Sequence, residues 1–329
     1  MTIAGVHDER RAASLILRDR YGHTDLYKID ILSAETPRGP QGITLGSKLS
    51  GLWKVPTETP LEQWAYQEGA TPSAMPRKNE RRPKATLITY AKTFDEYRNI
   101  ESLLWSVLHT DYDCWLRLYF PPPHGWRELR VRLLKEPTDD TEDVHGRRLT
   151  MAWPVELLAW DPFWYSTPYT YEFTRDNQGD GLPYMTAVGG GIYEIDVPWS
   201  NPTDQFGWAE WNSGELTAAT ETWSFPDGDS GTLIKLPALS GAAKTFWLQT
   251  NPTKPQLWTK VPAQDWARMS MKGNGVFTQP LRPNTPDTRT VKVRLQGGHA
   301  GSRMMLTIPR RWDRPIGGQL PIVAQAVSV

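Results

Sequence analysis

RLTMAWPVELLAWDPFWYS, residues 148–166, is the stretch on which the reading of this chain turns. Leu149, Met151, Trp153, Val155 and Leu157 keep period two for five positions, the spacing of a strand with one face on a core. Pro154 lies inside the run, and a residue without an N–H belongs at an edge or a bulge. The alternation gives way at Asp161-Pro162, with Phe163, Trp164 and Tyr165 directly behind.

Upstream, Leu129, Val131 and Leu133 alternate with charges in RELRVRLL at 127–134, and CWLRLYF at 114–120 reads the same way. A PPPHG turn joins these two strands. An acidic loop, EPTDDTEDVHG at 136–146, leads on to the opening stretch. One helix is expected over 93–109. Thr93 can cap its first turn while Glu96 reaches back, and Phe94, Tyr97, Ile100, Leu104, Val107 and Leu108 fall on one face. Residues 14–32 read as a hairpin turning near Tyr21-Gly22-His23. Residues 36–83 hold seven prolines among glycines, yet carry Trp53, Trp64 and Tyr66. Disordered linkers are poor in aromatics. The segment is therefore an extended arm ordered against something else, or a long loop packed on its own domain.

Downstream of about 170 the pattern is short strands divided by turns: YEIDV at 193–197, TLIKL at 232–236, TFWLQT at 245–250, VKVRL at 291–295 and MLTI at 305–308, with Asn212-Ser213-Gly214 and Gly297-Gly298 between. That spacing argues for a β-sandwich. The fold class is thus mainly β. A first, sandwich-like domain with one helix and an arm spans 1–168, a second sandwich spans 169–318, and 319–329 form a tail. Two domains also suit 329 residues, more than one hydrophobic core usually holds.

Basic and acidic residues balance at 37 each, so nothing sequence-wide attracts nucleic acid or anionic lipid. Sixteen tryptophans and 28 prolines point to short strands, many loops and much contact surface. The single Cys114 excludes an internal disulfide and a cysteine-built metal cluster. MTIAGVHDERRAAS has no apolar core of signal-peptide length. No apolar run nears the roughly 20 residues of a membrane helix. The chain is expected to be made in the cytosol, with no membrane insertion.

Chemical motifs are sparse. Histidines 7, 23, 109, 124, 145 and 299 are scattered, whereas a zinc site needs three or four convergent ligands. Asp227-Gly228-Asp229-Ser230-Gly231 looks like a calcium loop, but TLIKLP offers no carboxylate at the twelfth position. Gly189-Gly190-Gly191 precedes a strand instead of a helix, so it is no phosphate cradle. Glu194, Asp196, Glu210 and Glu215 beside Trp199, Trp208 and Trp211 would suit a sugar groove, and two such carboxylates would suit a glycosidase. The plainer reading is that alternate strand residues are charged because they face water. No catalytic residue, cofactor or metal is assigned.

Glu156-Leu157-Leu158-Ala159-Trp160-Asp161-Pro162-Phe163-Trp164-Tyr165 resembles the end of the first domain in distal tail proteins of long-tailed bacteriophages, the minor tail proteins of actinobacteriophages. Asn201-Pro202, Trp223 with Asp227–Gly231, Thr250–Pro252 and Arg310–Pro315 follow in the order of that family, and the resemblance covers about 14–318. It implies a domain junction at Trp160, Asp161, Pro162, Phe163 and Trp164, and a galectin-like second domain. It also implies a hexameric ring in the virion without catalysis, joining the tail tube to the host-facing tip. Tail tube, tape measure and tail-tip hub proteins would be its partners. A carbohydrate-binding adhesin module is the alternative. Ring interfaces favour Trp, Tyr and Arg, which selects Trp53, Trp64, Tyr66, Arg310, Arg311 and Trp312. The basic run at 77–84 (Arg81, Arg82) and the acidic loop at 136–143 (Asp139, Asp140) are expected to face each other across subunits.

Overall fold

Alternation becomes burial in the strands flanking the PPPHG turn. In β9 (Cys114–Phe120) every second residue is buried, as are Leu129, Val131 and Leu133 of β10 (Gly125–Leu133). The computed structural model describes residues 12–19, 24–32, 39–63, 68–72, 76–121, 124–137, 149–215, 220–239, 245–259, 275–286 and 288–317. It divides into two compact units, Met1–Ser166 with Trp312–Gly318, and Thr167–Arg311 with Gln319–Val329.

In the first unit the expected hairpin is β1 (Ala12–Arg18) antiparallel to β2 (Asp25–Leu32); its turn at 21–23 lies outside the described residues. β1 also pairs with β9, and β9 with β10, giving the order β2–β1–β9–β10. A second ladder runs β3 (Ile43–Ser50), β8 (Lys84–Tyr90), β11 (Thr150–Leu158). It meets β10 only where Arg132 and Leu133 face Leu158 and Leu157. Pro154 sits opposite Thr86, on the stretch of β11 that has β8 alone for a neighbour, so its missing N–H interrupts no ladder. The helix α1 (Phe94–Val107) buries Tyr97, Ile100, Leu104 and Val107. Thr93 Oγ1 accepts from Glu96 N at 3.2 Å. The Glu96 carboxylate accepts from Lys92 N at 2.7 Å, one residue ahead of the cap.

The 36–83 segment is not one arm. Residues 43–50 are a sheet strand, and Leu52 and Val55 are buried. Among the described residues of 57–78, two short ladders stand apart from that sheet. β4 (Thr57–Glu58) pairs with β7 (Arg77–Lys78), and β5 (Leu61–Glu62) pairs with β6 (Thr71–Pro72). The chain then returns through an Arg81–Ala159 bridge.

β12 (Trp164–Thr174) runs from the first unit into the second, and β21 (Arg303–Trp312) runs back. Between them one sheet has the order β13 (Thr186–Gly189), β14 (Ile192–Pro198), β20 (Thr290–Gly297), β16 (Glu221–Pro226), β17 (Leu233–Lys235). The other runs β19 (Leu257–Thr259), β18 (Phe246–Gln249), β15 (Glu210–Ser213), β21. Inward residues of both sheets share one core. There Trp211 of β15 lies 4.6 Å from Phe225 of β16, ring centre to ring centre, as in a face-to-face sandwich.

Candidate assembly surface

The outward face of the β2–β1–β9–β10 sheet carries an ordered lattice of arginine and aromatic side chains. Strand register places Arg117 opposite Glu128, Trp115 opposite Arg130 and Tyr119 opposite Trp126. Arg18 forks onto both oxygens of Glu128 at 2.9 and 2.8 Å, and Arg117 Nε adds a bond of 2.6 Å to the same carboxylate. Asp113 holds Arg130 at 2.6 Å and Arg132 at 2.8 Å. The guanidiniums lie on indoles: Arg18 is 5.0 Å from the Trp115 ring, Arg117 5.5 Å from Trp126, and Arg130 4.9 Å from Trp160. Tyr119 and Trp126 are 4.7 Å apart. Burial opposes the charge on Arg18, but Glu128 and Asp25 outweigh it and raise its pKa. On Asp30, burial is likewise outweighed, here by the Ser14 hydroxyl and Lys28, and its pKa falls. Trp126 and Trp160 remain 40% and 52% exposed. Side chains already held in place lose little freedom on association, and Trp, Tyr and Arg are the residue types that dominate contacts.

The first unit also holds a polar clasp. Arg81 is fully buried. Its Nε donates to Pro162 O, one Nη to Leu52 O at 2.7 Å and the other to Asp313 O. Trp164 Nε1 also donates to Leu52 O, at 3.2 Å, and Val55 N to Asp313 Oδ1 at 3.0 Å. Arg127 does the same for the returning chain. It donates to Arg314 O at 2.6 Å and Gly317 O at 2.8 Å, with its guanidinium 3.9 Å from the Trp312 ring.

This corrects two expected interface residues. Arg81 and Trp312 are core residues with no side-chain surface to offer a neighbour; a guanidinium that spans three carbonyls, and an indole laid on Arg127, are built inward. Trp53 is 56% exposed, and Arg82 lies on the surface beside Glu80 at 3.0 Å. Arg310 and Arg311 are half-buried. Trp64, Tyr66, Asp139 and Asp140 lie outside the described residues. Of the five junction residues, Pro162 and Trp164 are buried and Trp160 stands on the lattice. Asp161 accepts from the Tyr165 hydroxyl at 2.6 Å, and Phe163 is half-buried.

The sugar groove imagined from Trp199, Trp208 and Trp211 does not form. Trp199 and Trp211 are buried and stack on each other at 6.3 Å. Glu194 faces Arg294 and Asp196 faces Lys292 across β14 and β20, the charged-face reading. Arg294 bonding lowers the Glu194 pKa, with Lys292 assisting. In the calcium-like turn, Asp227 accepts from the amides of Thr278 and Gln279 at 2.8 and 2.9 Å. Asp229 pairs with Arg289 at 2.9 Å. Gly228 has φ +50°, and a Cβ there would meet Gln279 O at 2.1 Å. The loop is a tight turn pinned to 278–279. Ser302, His299 and Glu221 come together, but Ser302 is buried and its hydroxyl donates to the carboxylate at 2.5 Å, which is no poised nucleophile. No group of three His, Cys, Asp or Glu able to hold a metal occurs among the described residues.

No family model matches the sequence, and no curated protein matches it. Solved structures do. A chain of the phage P2 baseplate in its activated conformation with Ca is similar over 92% of this chain and 99% of its own, at 11% identity and TM-score 0.51. The same baseplate with Sr gives 11% identity, the same coverage and TM-score 0.48. The Dit protein of phage SPP1, a paradigm of the hub adsorption apparatus in phages infecting Gram-positive hosts, gives 12% identity, TM-score 0.46 and coverage of 80% and 92%. The fold is that of a phage baseplate chain.

The lattice residues escaped the sequence reading although their signal was present. Arg117, Trp115, Glu128 and Arg130 are the alternate positions of strands read for their buried face alone. Among the described residues no helix is long and apolar enough to cross a membrane.

Proposed function

We propose that this chain is a structural subunit of a phage tail tip, six copies of which close into a ring between the tail tube and the host-facing tip. The observation that carries the reading is fold similarity along nearly the whole of both chains to a baseplate component. The arginine–aromatic lattice supports it, since a ring subunit must present a preformed contact face on each side and repeated heterologous contacts close when the rotation allows. On this reading the second unit is a galectin-like sandwich. Tail tube, tape measure and tail-tip hub proteins are the partners, and the protein resides in the virion after synthesis in the host cytoplasm.

Native mass spectrometry of the full chain tests this. A species of six times 37.4 kDa is expected. Trp126→Glu should shift it towards smaller species, because a charge placed over Arg117 and Tyr119 removes the indole and its packing. Arg82→Glu should weaken assembly at low salt only, as befits an exposed charge. A monomer at tens of micromolar would sink the ring.

A further inference from the structure

The turn between β20 and β21 is built around a buried carboxylate. Glu221 of β16 is 1% exposed. Its Oε2 accepts from Trp223 Nε1 at 2.8 Å, and its Oε1 accepts from the Ser302 hydroxyl at 2.5 Å. His299 Nδ1 lies 3.2 Å from the same Oε1 and 3.0 Å from Ser302 Oγ. A hydroxyl has one proton to donate, and Ser302 gives it to Glu221. Nδ1 therefore carries a proton of its own, directed at the carboxylate, and Nε2 holds the bare lone pair. Nε2 stands 3.3 Å from where a Cβ on Gly301 would sit. His299 and Gly301 both line an open cleft of about 710 Å³, so water reaches that side of the imidazole. A second proton added at Nε2 displaces none of the bonds to Glu221. The turn has other ties. Gly298 N donates to Thr220 O at 3.1 Å, and Ser302 N to His299 O at 3.0 Å. Arg175 donates to Gly298 O and Gln178 to Ala300 O, each at 2.9 Å, which fastens 175–178 onto the turn.

We propose that this turn is a proton-operated latch: protonation of His299 at Nε2 converts its hydrogen bond to Glu221 into an ion pair and locks 297–302, with 175–178, onto β16. The Glu221 carboxylate is out of water, so it feels a new charge at hydrogen-bond distance with little screening. No charge around the imidazole opposes the latch. Arg175 is matched by Asp176 at 2.6 Å. Arg303 of β21 is shared by Asp180 at 2.8 Å and Glu172 of β12 at 3.4 Å. Beyond β15, Glu215 lines the same cleft and adds negative charge. The ion pair exists only while the imidazole is charged. Its hold is thus present in acid and is lost as pH rises through the range in which histidine discharges. The device lies wholly in the second unit and is independent of the six-fold assembly.

Amide hydrogen exchange of the full chain at about pH 5.5 and about pH 7.5 tests it, with intrinsic rates divided out and β9 as the reference. Residues 297–303 and 175–178 should be about threefold to fivefold better protected at the lower pH. His299→Gln keeps an uncharged donor for Glu221 and should remove that difference. Glu215→Gln, at the cleft, should leave most of it. Equal ratios in the parent chain and His299→Gln overturn the proposal, as does weaker protection of the parent chain in acid. Carbon-13 spectra of the histidine side chains supply a second check. A neutral His299 with its proton on Nε2 and none on Nδ1 also overturns it.

Discussion

Arg81 and Arg82 are adjacent in a run of basic residues and have opposite fates. Arg81 bonds three carbonyls inside the first unit, while Arg82 is 60% exposed with one weak ionic neighbour. Removing the buried guanidinium strands its acceptors, so Arg81→Ala should cost about 3 kcal/mol in chemical denaturation. Arg82→Ala should stay within about 0.5 kcal/mol. Charge count along the sequence cannot separate the two. The difference lies in which residue bridges to Ala159, a contact across 78 positions. Cys114 makes the second residue-scale prediction. Burial, with Asp113 beside it, pushes its thiol from 9.0 up to about 12. The folded chain therefore keeps a proton that the unfolded chain releases above pH 9. Its contribution to stability is complete below pH 9 and is lost as pH rises towards 12, by up to about 1.4 kcal/mol per pH unit. Cys114→Ala should flatten stability against pH between 9.5 and 11, measured by urea titration. An unchanged slope would assign the alkaline loss to other groups.

At the scale of elements, legibility followed the number of faces each segment buries. β9, β10 and β20 put one face on a core and one in water, so alternation alone located them. The helix was legible from its cap, and the cap is open to test. Thr93→Ala removes the acceptor for Glu96 N and should cost about 1 kcal/mol, read as a lower midpoint without loss of helical signal at low denaturant. β3 was missed for a physical reason. Its pairing with β8 slips between Leu45 and Leu49, and this irregularity spoils period two just where Gly46-Ser47-Lys48 reads as loop. The lattice was missed differently. Its residues were seen, but as the wet side of strands. Only register reveals that Arg117 meets Glu128 and that Arg130 has one indole across the strand pair and another at Trp160.

For the molecule as a whole, the decisive feature is that the first unit is discontinuous in sequence. Trp312 is buried in the same core as Leu116, Leu129 and Trp164, its indole donates to Ser166 Oγ at 2.9 Å, and Arg127 binds the carbonyls of Arg314 and Gly317. A linear cut near 168, as the sequence suggests, would leave Arg127 facing nothing and a tryptophan-sized gap above it. Losing a buried tryptophan costs about 3–5 kcal/mol, and stranding the Arg127 and Arg81 guanidinium donors, whose acceptors include the carbonyls of Asp313, Arg314 and Gly317, adds to that. This is of the order of a domain's whole stability. A chain stopped after Arg311 should therefore show early hydrogen exchange throughout β9 and β10, more than 170 residues from the cut. A chain stopped after Gly317 should retain native protection there. Equal protection in the two truncations would show that the closing segment decorates the first core without completing it.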